Sequence, residues 1–175
     1  KTAAGGIPAN AAAVVCTCRA LKAHSGLFKV KPGVPLDPLL ANENLDALEK
    51  GLCNLGHHIR NVRGFGIPAV VAINRFPGDS DREIERIRKY ALEQGAADAV
   101  VSEVHAKGGA GGADLAKAVM KALAEGKTAR PHFAGDAPIE EKIRTIAEKV
   151  YGAGDVKFSP EAKGRMKRLE RLGLD

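Results

Sequence analysis

Apolar and polar positions alternate along this chain in two rhythms. Three short unbroken apolar runs, Ala11 to Cys18, Ala69 to Ile73 and Ala97 to Val101, read as strands buried on both faces. Between them, apolar residues recur at helical spacing. Leu45, Leu48, Leu52, Leu55 and Ile59 form one stripe, predicted to be capped by Asn42 and ended by Gly64 and Gly66. Ile84, Ile87, Ala91 and Leu92 form the next, opened by Ser80 with Glu83 as a capping box and closed by Gly95. A further helix starts near Asp114 and ends near Gly126. Strand–helix–strand–helix order predicts an α/β fold, a parallel sheet with crossover helices.

After Gly126 the pattern changes. A polar loop precedes a helix opened by Pro138, with Ile139, Ile143, Ile146 and Val150 as its stripe. Val156 and Phe158 suggest a short extended piece, and Ser159-Pro160 starts a last basic helix. The expected division is residues 1–126 as the α/β domain and 127–175 as a small α-rich carboxyl-terminal piece.

In open α/β sheets, ligands bind outside the carboxyl ends of the strands. Two loops lie there. Asn74-Arg75-Phe76-Pro77 leaves the second strand, and Phe76 is an aromatic where the chain is exposed by default. Stacking on a flat ligand and packing under a neighbouring loop are both open readings. The other loop, His105 to Gly112, carries Lys107 and the glycines Gly108, Gly109, Gly111 and Gly112. It can turn backbone N–H groups toward an anion or be a plain flexible lead into a helix. It is neither a Walker A motif nor G-x-G-x-x-G. Arg19 and Lys22, just past the first strand, are candidates to clamp an anion, and His24 is a candidate for proton transfer. The Gly- and Pro-rich stretch from Ser25 to Pro38 is long for a plain connection, which suggests a functional loop.

Composition narrows the class. The chain has 175 residues, a net charge of +6, three cysteines and no Trp. No apolar run approaches the roughly 20 residues of a membrane helix. Cys16, Cys18 and Cys53 are an odd, low count, which argues against a disulfide framework and for a reducing cytoplasm. On a strand, Cys16 and Cys18 would face opposite ways, so no metal site is expected. The basic tail, Lys157 to Arg171, mixes in Glu161 and Glu170 and has no aromatics for base stacking, so a solvated helix face is favoured over nucleic-acid binding. The start, Lys1 to Gly6, lacks Met and the layout of a signal peptide, and suggests a piece of something longer.

Five stretches together resemble the formate–tetrahydrofolate ligase family. They are Thr17-Cys18-Arg19-Ala20-Leu21-Lys22 with His24 and Gly26; Glu43-Asn44-Leu45 with Gly51, Asn54-Leu55 and His58; Phe65-Gly66 through Asn74-Arg75-Phe76; Ser102 through Leu115; and Ile143 through Ala153. The resemblance covers essentially the whole chain and is to the carboxyl-terminal part of the enzyme. It implies a P-loop NTPase-like family fold without the P-loop itself. It implies ATP-dependent joining of formate to tetrahydrofolate, through formyl phosphate, to give 10-formyltetrahydrofolate. ATP with Mg would be bound mainly by the part not present here, so this segment alone would be inactive. The remaining part of the enzyme is an expected partner, small molecules are the substrates, and the family's homo-oligomers are expected. Phe76 would stack on the pterin, with Pro77, Asn74, Lys107 and the glycines as pocket walls. Many members place Trp where this chain has His105, and an imidazole offers less stacking area. The alternative reading is a non-catalytic module that binds a folate or another anionic ligand.

Overall fold

The computed structural model describes residues 5–31 and 33–174. Three strands, β1 (Ala12–Cys16), β2 (Ala69–Asn74) and β3 (Asp98–Ser102), form a parallel sheet in the order β1-β2-β3. Val14 lies opposite Val71, and Asn74 opposite Ser102. The α/β class and parallel order agree with the hydrophobic pattern. Helices α1 (Cys18–Ala23) and α2 (Leu45–Gly64) connect β1 to β2, and α3 (Asp81–Glu93) connects β2 to β3. The short α4 (Val104–Lys107) and a 3-10 turn (Gly108–Gly112) then lead into α5 (Ala113–Leu123).

The main core lies on one face of the sheet. Leu48, Leu52, Leu55 and Ile59 from α2 and Ile84, Ile87 and Ala91 from α3 pack on Val71, Ile73 and Ala99. Burying each large aliphatic side chain contributes about 1.5–3 kcal/mol. α5 covers the other face through Ala118 and Ala122 against Val70, with Val100, Leu115 and Val119 around them. That cover ends at β2. β1 was expected to be buried on both faces, yet Val15 is 66% exposed. No strand pairs with its outer edge among the described residues.

Three local readings need correction. Cys18 begins α1 rather than ending the strand, because the Thr17 hydroxyl accepts the Ala20 N–H at 3.0 Å and turns the chain. Cys16 and Cys18 therefore enter the same core. Asn44, not Asn42, caps α2 by accepting the Ala47 N–H at 2.9 Å, while Asn42 closes a 3-10 turn over Pro38–Ala41. Lys22, expected beside Arg19 as an anion clamp, is fully buried.

Lys22 Nζ lies 2.9 Å from Glu83 Oε1 and donates to the Asn42 carbonyl at 2.7 Å. Glu83 also accepts the Asn44 N–H at 3.0 Å and completes the capping box of α3 with Ser80. One buried ion pair thus joins α1, α3 and the start of α2. α1 and α2 also touch closely at Gly51, where a Cβ would overlap the Leu21 carbonyl.

The chain divides into two compact units, one up to Ala129 and one from Arg130. In the second, α6 (Ile139–Thr145) continues into a wider turn at Ile146–Val150, in which the Tyr151 N–H reaches the Ile146 carbonyl. Val156 and Phe158 form no strand. Instead the Arg144 guanidinium sits 5.3 Å from the Phe158 ring centroid, and Arg144 also pairs with Glu140 at 3.1 Å. α7 (Pro160–Arg171) opens as expected, the Ser159 hydroxyl accepting the Ala162 N–H at 3.2 Å. Of its residues only Met166 is buried, and its basic side chains face solvent.

Removing one partner of a buried pair strands the other charge. Lys22→Met is expected to cost about 3–5 kcal/mol in urea unfolding, and Lys22→Met with Glu83→Gln to recover much of it. A Lys22→Met protein as stable as the parent would contradict this role.

Candidate functional site

Parallel register sets the two strand-end loops side by side. Asn74 and Ser102 are paired, and the Arg75 N–H donates to the Ser102 carbonyl at 3.0 Å. The first loop is then locked as a turn. The Phe76 N–H donates to Asp79 Oδ2 at 2.9 Å, and the Asp79 N–H returns to the Phe76 carbonyl at 3.1 Å. Gly78 supplies the positive φ of +95° that the turn requires. Arg75 pairs with Asp81 at 2.8 Å. Phe76 is half-buried and Pro77 exposed, while the Asn74 amide bonds nothing among the described residues.

The second loop folds back on itself. The Glu103 N–H donates to the Gly111 carbonyl at 3.0 Å, and a Cβ on Gly111 would overlap the Glu103 backbone. Lys107 pairs with Glu103. The glycine run is thus a compact 3-10 turn rather than an extended cradle, although Gly108 and Gly109 stand open to solvent. α4 lifts His105 toward the first loop. Its ring centroid lies 6.1 Å from that of Phe76, at an interplanar angle of 54°.

A third element completes the arrangement. The Arg19 guanidinium carbon stands 5.7 Å from the Phe76 ring centroid. A cleft of about 460 Å³ opens there, lined mainly by Thr17, Arg19, His24, Val30, Leu36 and Phe76. Val30 and Leu36 were not singled out from the sequence. Their signal was the unusual length of the Ser25 to Pro38 loop, which brings them over α1. Phe76, His105 and Arg19 therefore converge, Asn74, Pro77 and Lys107 flank them on the two loops, and Lys22 lies beneath in the core.

Cys18, Asp79 and Glu83 also converge, with ligand atoms within 4.8 Å of one another. The cation of this cluster is the Lys22 ammonium paired with Glu83. Burial pushes the Cys18 thiol up to about 12, reinforced by Asp79 and Glu83, and burial alone pushes Cys16 up to about 12. Both are thus inert as nucleophiles.

Fold and cleft define the class: a parallel α/β domain with a cleft at the carboxyl ends of β1 and β2, between α1, the loop that follows it and Phe76. The chain belongs to the formate–tetrahydrofolate ligase family, whose model matches residues 1–175. The formate–tetrahydrofolate ligase of Roseiflexus castenholzii is 48% identical over 173 residues, and that of Desulforamulus reducens 44% over 174. The cytoplasmic C-1-tetrahydrofolate synthase of Saccharomyces cerevisiae is 42% identical over 176. Each similarity covers 99% of this chain, which spans 31% of the length of the bacterial relatives and 18% of the yeast protein.

In the native protein, only the exposed Cys53 is expected to react promptly with a disulfide reagent, and all three thiols after unfolding. Because the two buried thiols ionise near 9.0 when unfolded and about 12 when folded, their contribution is intact below pH 9. The urea midpoint is expected to fall as pH rises from 9 toward 12. Fast labelling of Cys16 or Cys18 at neutral pH would contradict the packing.

Proposed function

We propose that this chain supplies the folate site of an ATP-dependent ligase that joins formate to tetrahydrofolate. The observation that carries the proposal is the pairing of Phe76 with His105 at 6.1 Å across the two loops. A pterin is flat, and a ring stacked on both sides needs roughly 7–8 Å between its partners. The pair is too close and too tilted to hold one as it stands. His105 is exposed on a four-residue helix and has room to swing outward, while Phe76 is fixed by its turn. Pro77, Asn74 and Lys107 with Gly108, Gly109, Gly111 and Gly112 form the rim in this reading.

The tetrahydrofolate amine attacks the carbon of formyl phosphate; the N–C bond forms, the C–O bond to phosphate breaks, phosphate leaves, and the amine gives up its proton to the departing phosphate or to water. Such chemistry depends on positioning and positive charge more than on a protein nucleophile. That accords with thiols held neutral in the core. ATP and its Mg are held in this proposal by the rest of the enzyme, and the α/β unit is related to the P-loop NTPase-like folds without contributing a P-loop. The open edge of β1 and the exposed Val15 support packing against that remaining part, since parallel sheets are ordinarily covered on both faces. A cytoplasmic setting follows from the same reading.

A full-length enzyme carrying this sequence is expected to form 10-formyltetrahydrofolate from ATP, formate and tetrahydrofolate, and folate binding without product would instead favour a non-catalytic module. Phe76→Ala should weaken tetrahydrofolate binding by about 1–3 kcal/mol if stacking on the pterin matches base–aromatic stacking. His105→Trp should tighten binding through its larger face. Unchanged affinity in a folded Phe76→Ala protein, read by equilibrium titration, would refute the assignment.

A further inference from the structure

Arg19 stands apart from the other arginines near the site. Its Nε is sealed from solvent and has no hydrogen-bond partner. The neighbouring carboxylates are already engaged: Asp79 by the Phe76 N–H, Asp81 by Arg75 and Glu83 by Lys22. A buried donor left unpaired costs free energy, and most such groups in folded proteins have a partner. The cleft wall supplies none. Ala20, Ala23, Val30 and Leu36 are apolar, and the Thr17 oxygen already accepts the Ala20 N–H.

We infer that Arg19 binds an oxyanion of the ligand, in a subsite continuous with the Phe76 stacking face. The inference rests on the folate reading for the identity of the ligand, though not for the anion. The sealed Nε lies behind the cleft surface, but Arg19 makes no hydrogen bond or ion pair among the described residues, and its two terminal Nη groups offer a planar fork that fits two oxygens of a carboxylate or phosphate. The hydroxyl proton of Thr17 and the exposed imidazole of His24 line the same cleft and are further donors for that group. Apolar walls reduce screening and strengthen the attraction. With its guanidinium 5.7 Å from the Phe76 centroid, Arg19 reaches an anion attached to, or reacting with, a ring stacked there. Two sources share this chemistry: the glutamate carboxylates of the folate tail and the phosphate of the activated formyl group.

Three probes separate them in the full-length protein: 6-methyltetrahydropterin, which is neutral, tetrahydrofolate, which adds the carboxylates, and inorganic phosphate. Arg19→Gln is expected to leave the pterin's affinity unchanged and to weaken at least one of the other two by about tenfold or more, as charge-assisted bonds do. Loss on tetrahydrofolate assigns the carboxylate, and loss on phosphate assigns the formyl phosphate end. Arg19→Lys, which keeps the charge and loses the fork, should fall between. Equal binding of all three probes by Arg19→Gln and the parent would overturn the inference. So would equal losses on all three, which would make Arg19 a support for Phe76. If Phe76→Ala leaves pterin binding intact while Arg19→Gln weakens phosphate binding, the folate reading fails and the anion subsite stands.

Discussion

The buried Lys22–Glu83 pair is the constraint on which the site depends. The two residues are far apart in sequence, on the helices that follow β1 and β2. Their 2.9 Å contact draws those helices together at the carboxyl end of the sheet. Through the same carboxylate, Glu83 holds the N–H of Asn44 and the start of α3. Two charges taken from water need several partners to offset their desolvation. Here the partners are the Asn42 carbonyl and the Asn44 and Ser80 N–H groups, where the chain enters α2 and α3. The pair therefore orders the base of the cleft, while Arg19, on the same helix as Lys22, is left to face into it.

Above that base the arrangement is one of shared register. Because Asn74 and Ser102 are opposite each other in a parallel ladder, the chain leaves both strands at the same level. Phe76 is then held by a turn closed through Asp79, and His105 stands exposed on the four-residue α4. The Phe76 and His105 rings meet across the two loops in consequence, their centroids 6.1 Å apart.

Much of the fold was legible in the sequence. The apolar runs marked all three strands, although only β2 is buried along almost its whole length and β1 keeps its apolar run with Val15 exposed. Ser80 and Glu83 announced the start of α3, and Ser159-Pro160 that of α7, since caps act within one turn of chain. Phe76 was legible as a candidate because a strand end is exposed by default, and it does line the cleft beside α1. Less was legible where a residue serves distant partners. Glu83 looked like a capping residue alone, and Lys22 like a surface cation, because nothing local in Ala20-Leu21-Lys22-Ala23 reveals a carboxylate waiting on another helix. The exposure of Val15 was equally hidden, for it depends on how far α5 reaches.

Sequence alone determined the element types, their order, the parallel α/β class and the positions of the two loops, because periodicity and capping are local properties of the chain. Only the tertiary structure decided that Lys22 is buried in an ion pair while Arg19 faces the cleft, that the glycine run folds back on Glu103, and that Val30 and Leu36 come over the cleft. Each of these turns on contacts between segments separated by many residues, which packing selects and local pattern does not encode.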